Sequence, residues 1–247
     1  MATANIYEIF SGVQGEGVYV GRRQLFVRLC GCNLSCRYCD TPESRQAILF
    51  AHVEQPLGSR SFELQSNPIS SAELASRIER IDPKRTHSAV SLTGGEPLLA
   101  ANFLAELILQ CEGRKFYLET NGTLPTELKK VADLVETIAM DIKLPSAAGA
   151  GADLDTAREF LATAAKTDVF VKVIVTEQTS RKEIVAATEV VASVSGDIPF
   201  VIQPVTPKSA EMHAPGSERV FELQMAALDI LSDVRVIPQV HKLMGEK

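Results

Sequence analysis

The sequence has no apolar stretch that approaches the ~20 residues needed to cross a membrane as a helix, so we expect no membrane partner. The segment from Met1 to Phe10 has no basic start followed by an apolar run, and it does not resemble a secretory signal. Lysine and arginine never cluster beyond a pair, and the net charge is -6. A protein that binds phosphate backbones usually presents a basic face, so a direct nucleic-acid substrate is disfavoured. We expect a cytoplasmic protein.

The chain also lacks the paired cysteines of a disulfide framework. It has 5 cysteines, and Cys30, Cys32, Cys36 and Cys39 stand close together while Cys111 stands alone. An odd number of cysteines without an export signal favours metal or redox chemistry over disulfides. Cys30 could be a fourth ligand, but it stands at the end of a predicted strand only two residues from Cys32, so Cys30 and Cys111 are both expected to pack as small apolar residues.

Short apolar runs alternate with helical patterns along most of the chain. Runs of β-branched and aromatic residues predict strands at residues 24–29, 88–92, 115–119, 137–141, 169–175, 200–203 and 234–237. Apolar residues at helical spacing, with capping residues before them, predict helices at residues 71–81, 98–111, 124–135, 153–165, 180–194 and 217–231. Strands that alternate with helices imply a mostly parallel sheet with right-handed crossovers.

This order of elements predicts an α/β fold, a partial (β/α)6 barrel, with an open doubly wound sheet as the structural alternative. We expect a single domain over residues 1–247. Residues 45–67 show no clear periodicity and are expected to form an insertion that leaves the core and could cover the site. The Ala/Gly stretch at residues 147–152 is expected to be a flexible loop.

The cysteine loop follows directly on the first predicted strand. Cys32, Cys36 and Cys39 are spaced x3 and x2, so three thiolates on one loop can reach three corners of a cubane iron–sulfur cluster. One iron then lacks a protein ligand, and a small molecule with amino and carboxylate donors can chelate it. A structural zinc site is the alternative, but it usually takes its four ligands from two separated pairs, and no second pair is present. The spacing favours a 4Fe-4S cluster.

Polar motifs stand at the ends of the next strands as well. They are Thr93-Gly94-Gly95-Glu96-Pro97, Glu119-Thr120-Asn121-Gly122, Met140-Asp141-Ile142-Lys143 and Gln203-Pro204-Val205. In α/β barrels the carboxyl ends of the strands build the active site. Each motif alone could be ordinary turn chemistry, but together they indicate one site at the mouth of the barrel.

The cysteine spacing and the Gly94-Gly95-Glu96-Pro97 turn resemble those of the radical S-adenosylmethionine superfamily. The resemblance implies a partial barrel of that family's type, with an N-terminal extension and an insertion after the cluster loop. It also implies that S-adenosylmethionine occupies the open corner of the cluster. In that superfamily the turn binds the amino group of S-adenosylmethionine through backbone carbonyls and the glutamate side chain, here Glu96.

Three further segments resemble the 7-carboxy-7-deazaguanine synthase family. The segment from Phe10 to Gly17 is similar to its Phe-x-x-x-Gln-Gly-Glu-Gly signature, for which a glycine-rich hairpin turn is the alternative interpretation. Cys39-Asp40-Thr41 and the tail Val236-Ile237-Pro238-Gln239-Val240-His241-Lys242 are similar to that family too. The resemblance covers nearly the whole chain and is weakest over residues 45–67.

The resemblance implies a lyase that converts 6-carboxy-5,6,7,8-tetrahydropterin to 7-carboxy-7-deazaguanine with loss of ammonia, towards queuosine and related deazapurines. Electron transfer into the cluster cleaves S-adenosylmethionine to a 5'-deoxyadenosyl radical, which abstracts hydrogen from C6 of the pterin. S-adenosylmethionine is then regenerated. The resemblance further implies Mg²⁺, a homodimer and a reductant such as flavodoxin.

The resemblance also assigns roles to individual residues. Cys32, Cys36 and Cys39 hold the cluster, and the Thr41 hydroxyl ligates Mg²⁺, a hard cation that prefers oxygen donors. The residues expected to bind the pterin are Val13, Gln14, Gly15, Arg28 and Thr93, with the Arg28 guanidinium matched to the substrate carboxylate. An ion pair is the alternative role for Arg28. The residues expected to contact S-adenosylmethionine are Tyr38, Asp40, Gly95, Glu96, Asp141, Ile142, Lys143 and Gln203. Family members often have Ser-Pro-Lys where this chain has Asp141-Ile142-Lys143.

Two other functions remain as alternatives. A glycyl-radical enzyme activase shares the cysteine spacing but acts on a protein, and it does not require the Gln14-Gly15-Glu16-Gly17 loop or Asp40-Thr41. A structural protein that carries zinc or a cluster is the non-enzymatic alternative.

Overall fold

The structure is a computed structural model that describes residues 1–149, 153–208 and 212–246. Its strands are β1 (Thr3–Ala4), β2 (Ile6–Val13), β3 (Arg23–Leu29), β4 (Phe50–Glu54), β5 (Phe62–Ser66), β6 (Ile69–Ser70), β7 (Val90–Gly94), β8 (Phe116–Thr120), β9 (Thr137–Asp141), β10 (Asp168–Val175), β11 (Phe200–Pro204) and β12 (Val234–Val236). Its helices are α1 (Ser71–Ile81), α2 (Ala101–Gln110), α3 (Pro125–Leu128), α4 (Pro145–Ala148), α5 (Leu154–Ala164), α6 (Arg181–Val194), α7 (Ser217–Leu228) and α8 (Val240–Leu243).

One ten-stranded sheet carries the fold, in the order β12-β11-β10-β9-β8-β7-β3-β2-β4-β5. The strands from β3 through β7 to β12 run parallel, and β3, β7, β8, β9, β10 and β11 are each followed by a helix before the next parallel strand. Within the described residues β12 and β5 end the sheet without pairing to each other, so the barrel stays open. The predicted partial (β/α)6 barrel is confirmed.

Most predicted elements are confirmed. Their ends are marked by residues close by in the sequence, such as helix caps and prolines. The Ser70 hydroxyl caps α1 by accepting from the Glu73 N–H, and Pro83 follows soon after the last helical residue. Ser180 and Glu183 form a complete capping box at the start of α6. The predicted strand at residues 169–175 is β10, which begins one residue earlier at Asp168.

Two helix predictions are wrong in detail. The predicted helix at residues 98–111 begins as a 3-10 turn over Pro97–Ala100 and becomes α2 only at Ala101. The predicted helix at residues 124–135 is the short α3 followed by a separate 3-10 turn over Ala132–Leu134. Between α3 and this 3-10 turn, the Lys130 and Val131 N–H groups donate to carbonyls three residues earlier in the chain. The backbone there forms tight turns and not an α-helix.

The prediction that residues 45–67 leave the core is wrong. They contain the antiparallel hairpin of β4 and β5, and β4 pairs with β2, so the sheet continues through this segment. Ala51 and Val53 are buried while Phe50 and His52 on the same strand are exposed, a two-residue alternation that is weak because both faces carry apolar or aromatic side chains. The Asn67 side chain bonds to both the N–H and the C=O of Ile6 and anchors the end of the hairpin.

The stretch at residues 147–152 also differs from the prediction in its described part. Ala147 and Ala148 are buried in the single-turn helix α4, because they pack with Tyr38, Ile174 and Val205 beside the cysteine loop. Residues 150–152 lie outside the described residues.

A large apolar core fills the space between the sheet and the helices. Its most buried large side chains include Phe103, Phe116, Phe160 and Phe200, and it extends from β2 to β12. A smaller cluster of Tyr117, Ala139, Phe170 and Val201 lies on the interior of the barrel. None of the described helices is long and apolar enough to span a bilayer. The single-domain count stays a prediction.

Candidate active site

An open cavity lies at the carboxyl ends of the parallel strands, and the two-residue period of the strands determines what lines it. Residues two apart on one strand share a face, so Tyr117 and Glu119 of β8 face the interior together. The same holds for Phe170 and Lys172 of β10. The apolar member of each pair forms the floor, and the polar member, one step nearer the strand end, lines the cavity wall.

The cavity brings together nearly all of the predicted site residues. Those that line it are Val13, Gln14, Gly15, Arg28, Cys32, Cys36, Tyr38, Cys39, Asp40, Thr41, Thr93, Gly95, Asp141 and Lys143. Glu96, Ile142 and Gln203 are the predicted site residues outside the lining, and all three are buried. The two sequence segments that the resemblance links, the glycine-rich N-terminal loop and the cysteine loop, therefore meet at one site.

The start of the cysteine loop is held against the Gly94-Gly95 turn by backbone contacts. The Gly95 N–H donates to the Leu29 carbonyl at 3.2 Å, and the Glu96 N–H donates to the Gly31 carbonyl at 2.7 Å. A Cβ on Gly95 would lie 1.9 Å from the Gly31 oxygen, and Gly94 has a φ of 138°. Only glycines allow the two segments to approach this closely.

The three thiols fit a cluster better than a single metal ion. Burial raises the pKa of Cys32 and Cys36, and the neighbouring thiolates raise it further, so a strong cationic centre is needed to ionise them together. The ligands of one zinc ion lie about 4 Å apart, given a Zn–S bond of about 2.3 Å. Within the described residues the three sulfur atoms do not gather within 4.8 Å of one another. The donor set therefore fits a multi-iron cluster.

The other two cysteines lie apart from this donor set. Cys30 is half-buried at the end of β3, where its N–H bonds to the Asn5 carbonyl, and Cys111 is buried in the core just after α2. Neither lines the cavity. Burial raises the pKa of the Cys111 thiol to about 11, as expected for an unreactive core cysteine.

The Glu96 carboxylate joins the turn after β7 to the end of β8. It accepts from the Leu98 N–H at 3.1 Å, the Thr120 hydroxyl at 2.9 Å and the Asn121 N–H at 2.7 Å. Burial raises its pKa to about 7 despite these bonds. The side chain that the resemblance assigns to S-adenosylmethionine thus has three partners within the protein.

The opposite wall is a polar network built on Glu119. Its two carboxylate oxygens accept from Gln14 Nε2 and from the Thr93 hydroxyl, both at 2.8 Å. Arg28 donates from Nε to Glu8 at 2.9 Å, which is the ion pair considered as its alternative role. Its Nη1 lies 3.5 Å from the Thr41 hydroxyl, so the rest of the guanidinium still faces the cavity.

Buried oxygens without partners mark where a polar ligand fits. The Asp141 carboxylate receives the Lys143 ammonium at 2.9 Å on Oδ2, while its Oδ1 has no hydrogen-bond partner among the described residues. Gln203 Oε1 is likewise buried without one. Gln203 is in register with Ile174, which lines the cavity, and register partners on parallel strands share a face. Both atoms fit hydrogen-bond donors of a ligand.

The sequence prediction missed several residues of the lining. Glu16, Glu119, Lys172, Gln239 and His241 all line the cavity. Four of them lie within motifs named above: the Gln14-Gly15-Glu16-Gly17 loop, the end of β8 and the C-terminal tail. Lys172 had its own signal, a lone charge within the apolar run of β10. Its burial is evident only once the strand is placed in the barrel.

Comparisons with known proteins agree with this geometry. The model of the radical SAM superfamily matches residues 27–176. The chain is 41% identical over 246 residues to the 7-carboxy-7-deazaguanine synthase of Geobacter sulfurreducens, covering 98% of each. It is 37% identical over 248 residues to the enzyme of that name from Archaeoglobus fulgidus, again covering 98% of each.

A solved structure shows the same fold. The crystal structure of QueE from Escherichia coli matches with a TM-score of 0.60 at 22% identity, covering 97% of this chain and 95% of that one. This likeness supports the fold of the chain. The chain belongs to the radical SAM superfamily and, within it, to the 7-carboxy-7-deazaguanine synthase family.

Proposed function

We propose that this chain converts 6-carboxy-5,6,7,8-tetrahydropterin to 7-carboxy-7-deazaguanine with loss of ammonia, using S-adenosylmethionine and a 4Fe-4S cluster. The observation that carries the proposal is the meeting of the Gln14-Gly15-Glu16 loop with Cys32, Cys36 and Cys39 in one cavity. Sequence identities of 41% and 37% to two 7-carboxy-7-deazaguanine synthases, each over 98% of the chain, support it.

The residues of the cysteine loop hold the cluster, and the neighbouring strand ends hold S-adenosylmethionine. When bound, the cluster supplies an electron that allows S-adenosylmethionine to start hydrogen abstraction from the substrate. The chain's own part is to position the ligand. Asp141 Oδ1 is a free acceptor for its amino or ribose groups, and Lys143 is a cation that also lies 5.3 Å from the ring centre of Tyr38.

The pterin end of the cavity is rich in fixed acceptors. The Arg28 guanidinium faces the cavity and suits the substrate carboxylate. The pterin ring carries several N–H donors, and carboxylates such as Glu16 and Glu119 accept from them. Because Gln14 and Thr93 hold Glu119 from two sides, that carboxylate is already oriented before the substrate enters.

The experiment that tests the function is a single anaerobic incubation. Purified enzyme with a reconstituted cluster is mixed with the carboxytetrahydropterin, S-adenosylmethionine and a chemical reductant, and the product is identified by mass. We expect 7-carboxy-7-deazaguanine to form in many turnovers per S-adenosylmethionine, because the cofactor is regenerated. An intact cluster with no product would contradict the substrate assignment and leave only the superfamily chemistry.

We propose that Thr41 ligates Mg²⁺ in the substrate complex. Among the residues that the structure describes, its hydroxyl has only long contacts, 3.5 Å to Arg28 and 3.4 Å to Asp40, so it is available to a cation. Thr41→Ala is expected to keep the cluster but to weaken the Mg²⁺ affinity in turnover assays by about 10- to 100-fold. Thr163→Ala, which changes a half-buried threonine of α5 outside the cavity lining, is the matched control. An unchanged Mg²⁺ dependence would remove Thr41 from this role.

We further propose that the enzyme takes its electrons from a flavodoxin-type protein, acts in the cytoplasm as a homodimer and folds as one domain. The acidic balance of the chain fits a free small-molecule substrate better than tRNA itself. Reconstituting activity with purified flavodoxin and its reductase, in place of the chemical reductant, tests the proposed electron donor. The molar mass in solution tests the homodimer.

A further inference from the structure

Lys172 is a charged residue within the apolar run that follows Asp168 in β10, and it is 9% exposed. An isolated ammonium at such a site would be costly, so its partners explain its presence. It bonds to Glu16 Oε2 and lies 3.3 Å from Asp141 Oδ2. It therefore contacts one carboxylate from each side of the cavity.

These contacts are part of a chain of alternating charges across the cavity. Lys143 and Lys172 both approach Asp141 Oδ2, and Lys172 continues the chain to Glu16. Gln239 Nε2 then donates to the other oxygen of Glu16 at 2.7 Å. This row of charges joins the end of β9, the proposed S-adenosylmethionine side, to the N-terminal loop, the proposed pterin side. Lys172 lies in the middle of the row.

Glu16 would not be a stable anion in this place without Lys172. Burial by itself would raise its pKa, but the charge and hydrogen bond of Lys172, together with the Gln239 hydrogen bond and the His241 ring, lower the pKa to about 2. The groups that face Glu16 are Lys172 from β10, Tyr117 from β8, Gln239 and His241 from the tail and α8, and Asp40 from the cysteine loop. Burial lowers the pKa of His241, so that ring does not replace the cation.

We propose that Lys172 is a positioning residue for the pterin: its ammonium fixes the Glu16 carboxylate as a charged acceptor and ties it to Asp141 on the cofactor side. This inference rests on the proposed function. Lys172 has both of its carboxylate partners within the protein, so it acts on the substrate through Glu16. Asp141 retains Lys143 at 2.9 Å when Lys172 is removed, so the cofactor side should be affected less than the pterin side.

The test compares Lys172→Met with wild type in the anaerobic assay. Because a charge-assisted hydrogen bond to Glu16 is lost, we expect the KM for the pterin to rise about 10- to 100-fold while kcat changes less. S-adenosylmethionine cleavage without the pterin should fall less than the pterin affinity does, because Lys143 still pairs with Asp141. Lys172→Arg should restore most of the affinity. Lys129→Met, which removes a lysine from an exposed pair with Glu159, is the matched control.

The pH profile separates positioning from a loss of structure. Wild-type KM should vary little between about pH 6 and 8, since Glu16 stays ionised. In Lys172→Met the KM should rise as the pH falls, because a buried carboxyl without its cation takes up a proton near neutrality. A parallel loss of kcat with a wild-type pH profile would overturn the proposal. If Lys172→Met does not fold, Glu16→Gln tests the same contact, and an unchanged KM in that variant overturns it too.

The outcomes remain distinct from a failure of the proposed function. If wild type makes no deazaguanine product, the function is wrong whatever Lys172 does. If wild type is active and Lys172→Met has the wild-type KM at every pH, the function stands and the positioning role is wrong.

Discussion

Cys36→Ala is expected to abolish both the brown absorbance of the reconstituted cluster and all turnover. Three thiolates on one loop are the minimum that can hold a 4Fe-4S cluster with one open iron, and Cys36 is the central one. Its side chain is half-buried at the cavity wall, and no other described cysteine lines that wall besides Cys32 and Cys39. No thiol can therefore replace it. Absorption spectra and iron and sulfide analysis after anaerobic reconstitution measure the effect.

Cys30→Ala is the matched control for this prediction. Cys30 is also half-buried and only two residues from Cys32, but it does not line the cavity. We expect this variant to bind the same amount of iron as wild type and to keep its activity. Loss of the cluster in Cys30→Ala would mean that Cys30 is a fourth ligand. The iron that S-adenosylmethionine needs would then have no open coordination position. One zinc per chain and no iron in the wild-type protein would remove the radical mechanism altogether.

Gly95→Ala is expected to produce the second largest loss of activity, although this substitution deletes no functional group. The added Cβ would lie 1.9 Å from the Gly31 oxygen, a backbone atom that cannot rotate away, and 2.9 Å from the Cys32 Cβ. The turn and the cysteine loop must separate, which breaks the 2.7 Å bond from the Glu96 N–H to Gly31. Overpacking of this kind costs about 1–3 kcal/mol in the free energy of unfolding.

The loss of activity in Gly95→Ala should be larger than this destabilisation. A displacement of about 1 Å at a positioned site can lower the rate by about 100-fold. We expect the variant to fold, to bind iron incompletely and to cleave S-adenosylmethionine at least about 100-fold more slowly. Gly196→Ala is the control, because its added Cβ meets nothing within 4 Å. Wild-type cleavage by Gly95→Ala would mean that the close approach of turn and loop has no role in binding the cofactor.

Local signals explain why much of the fold could be predicted. The caps of α1 and α6 and the β-branched run of β10 lie in neighbouring residues, so their ends follow from the sequence. The hairpin of β4 and β5 was not predicted, because both faces of β4 carry apolar or aromatic side chains and give no clean alternation. What makes these residues strands is pairing with β2, a contact between distant segments.

The sequence alone determined the chemistry at the centre of the site. The spacing of Cys32, Cys36 and Cys39 and the Gly94-Gly95 turn lie on continuous stretches, and ligand geometry on one loop depends on spacing alone. Tertiary structure decided which distant side chains complete the cavity. Lys172 meets Glu16 across 156 residues, and Gln239 meets it across 223. Such contacts depend on how strands from the whole chain order themselves in one sheet, and no local pattern encodes that order.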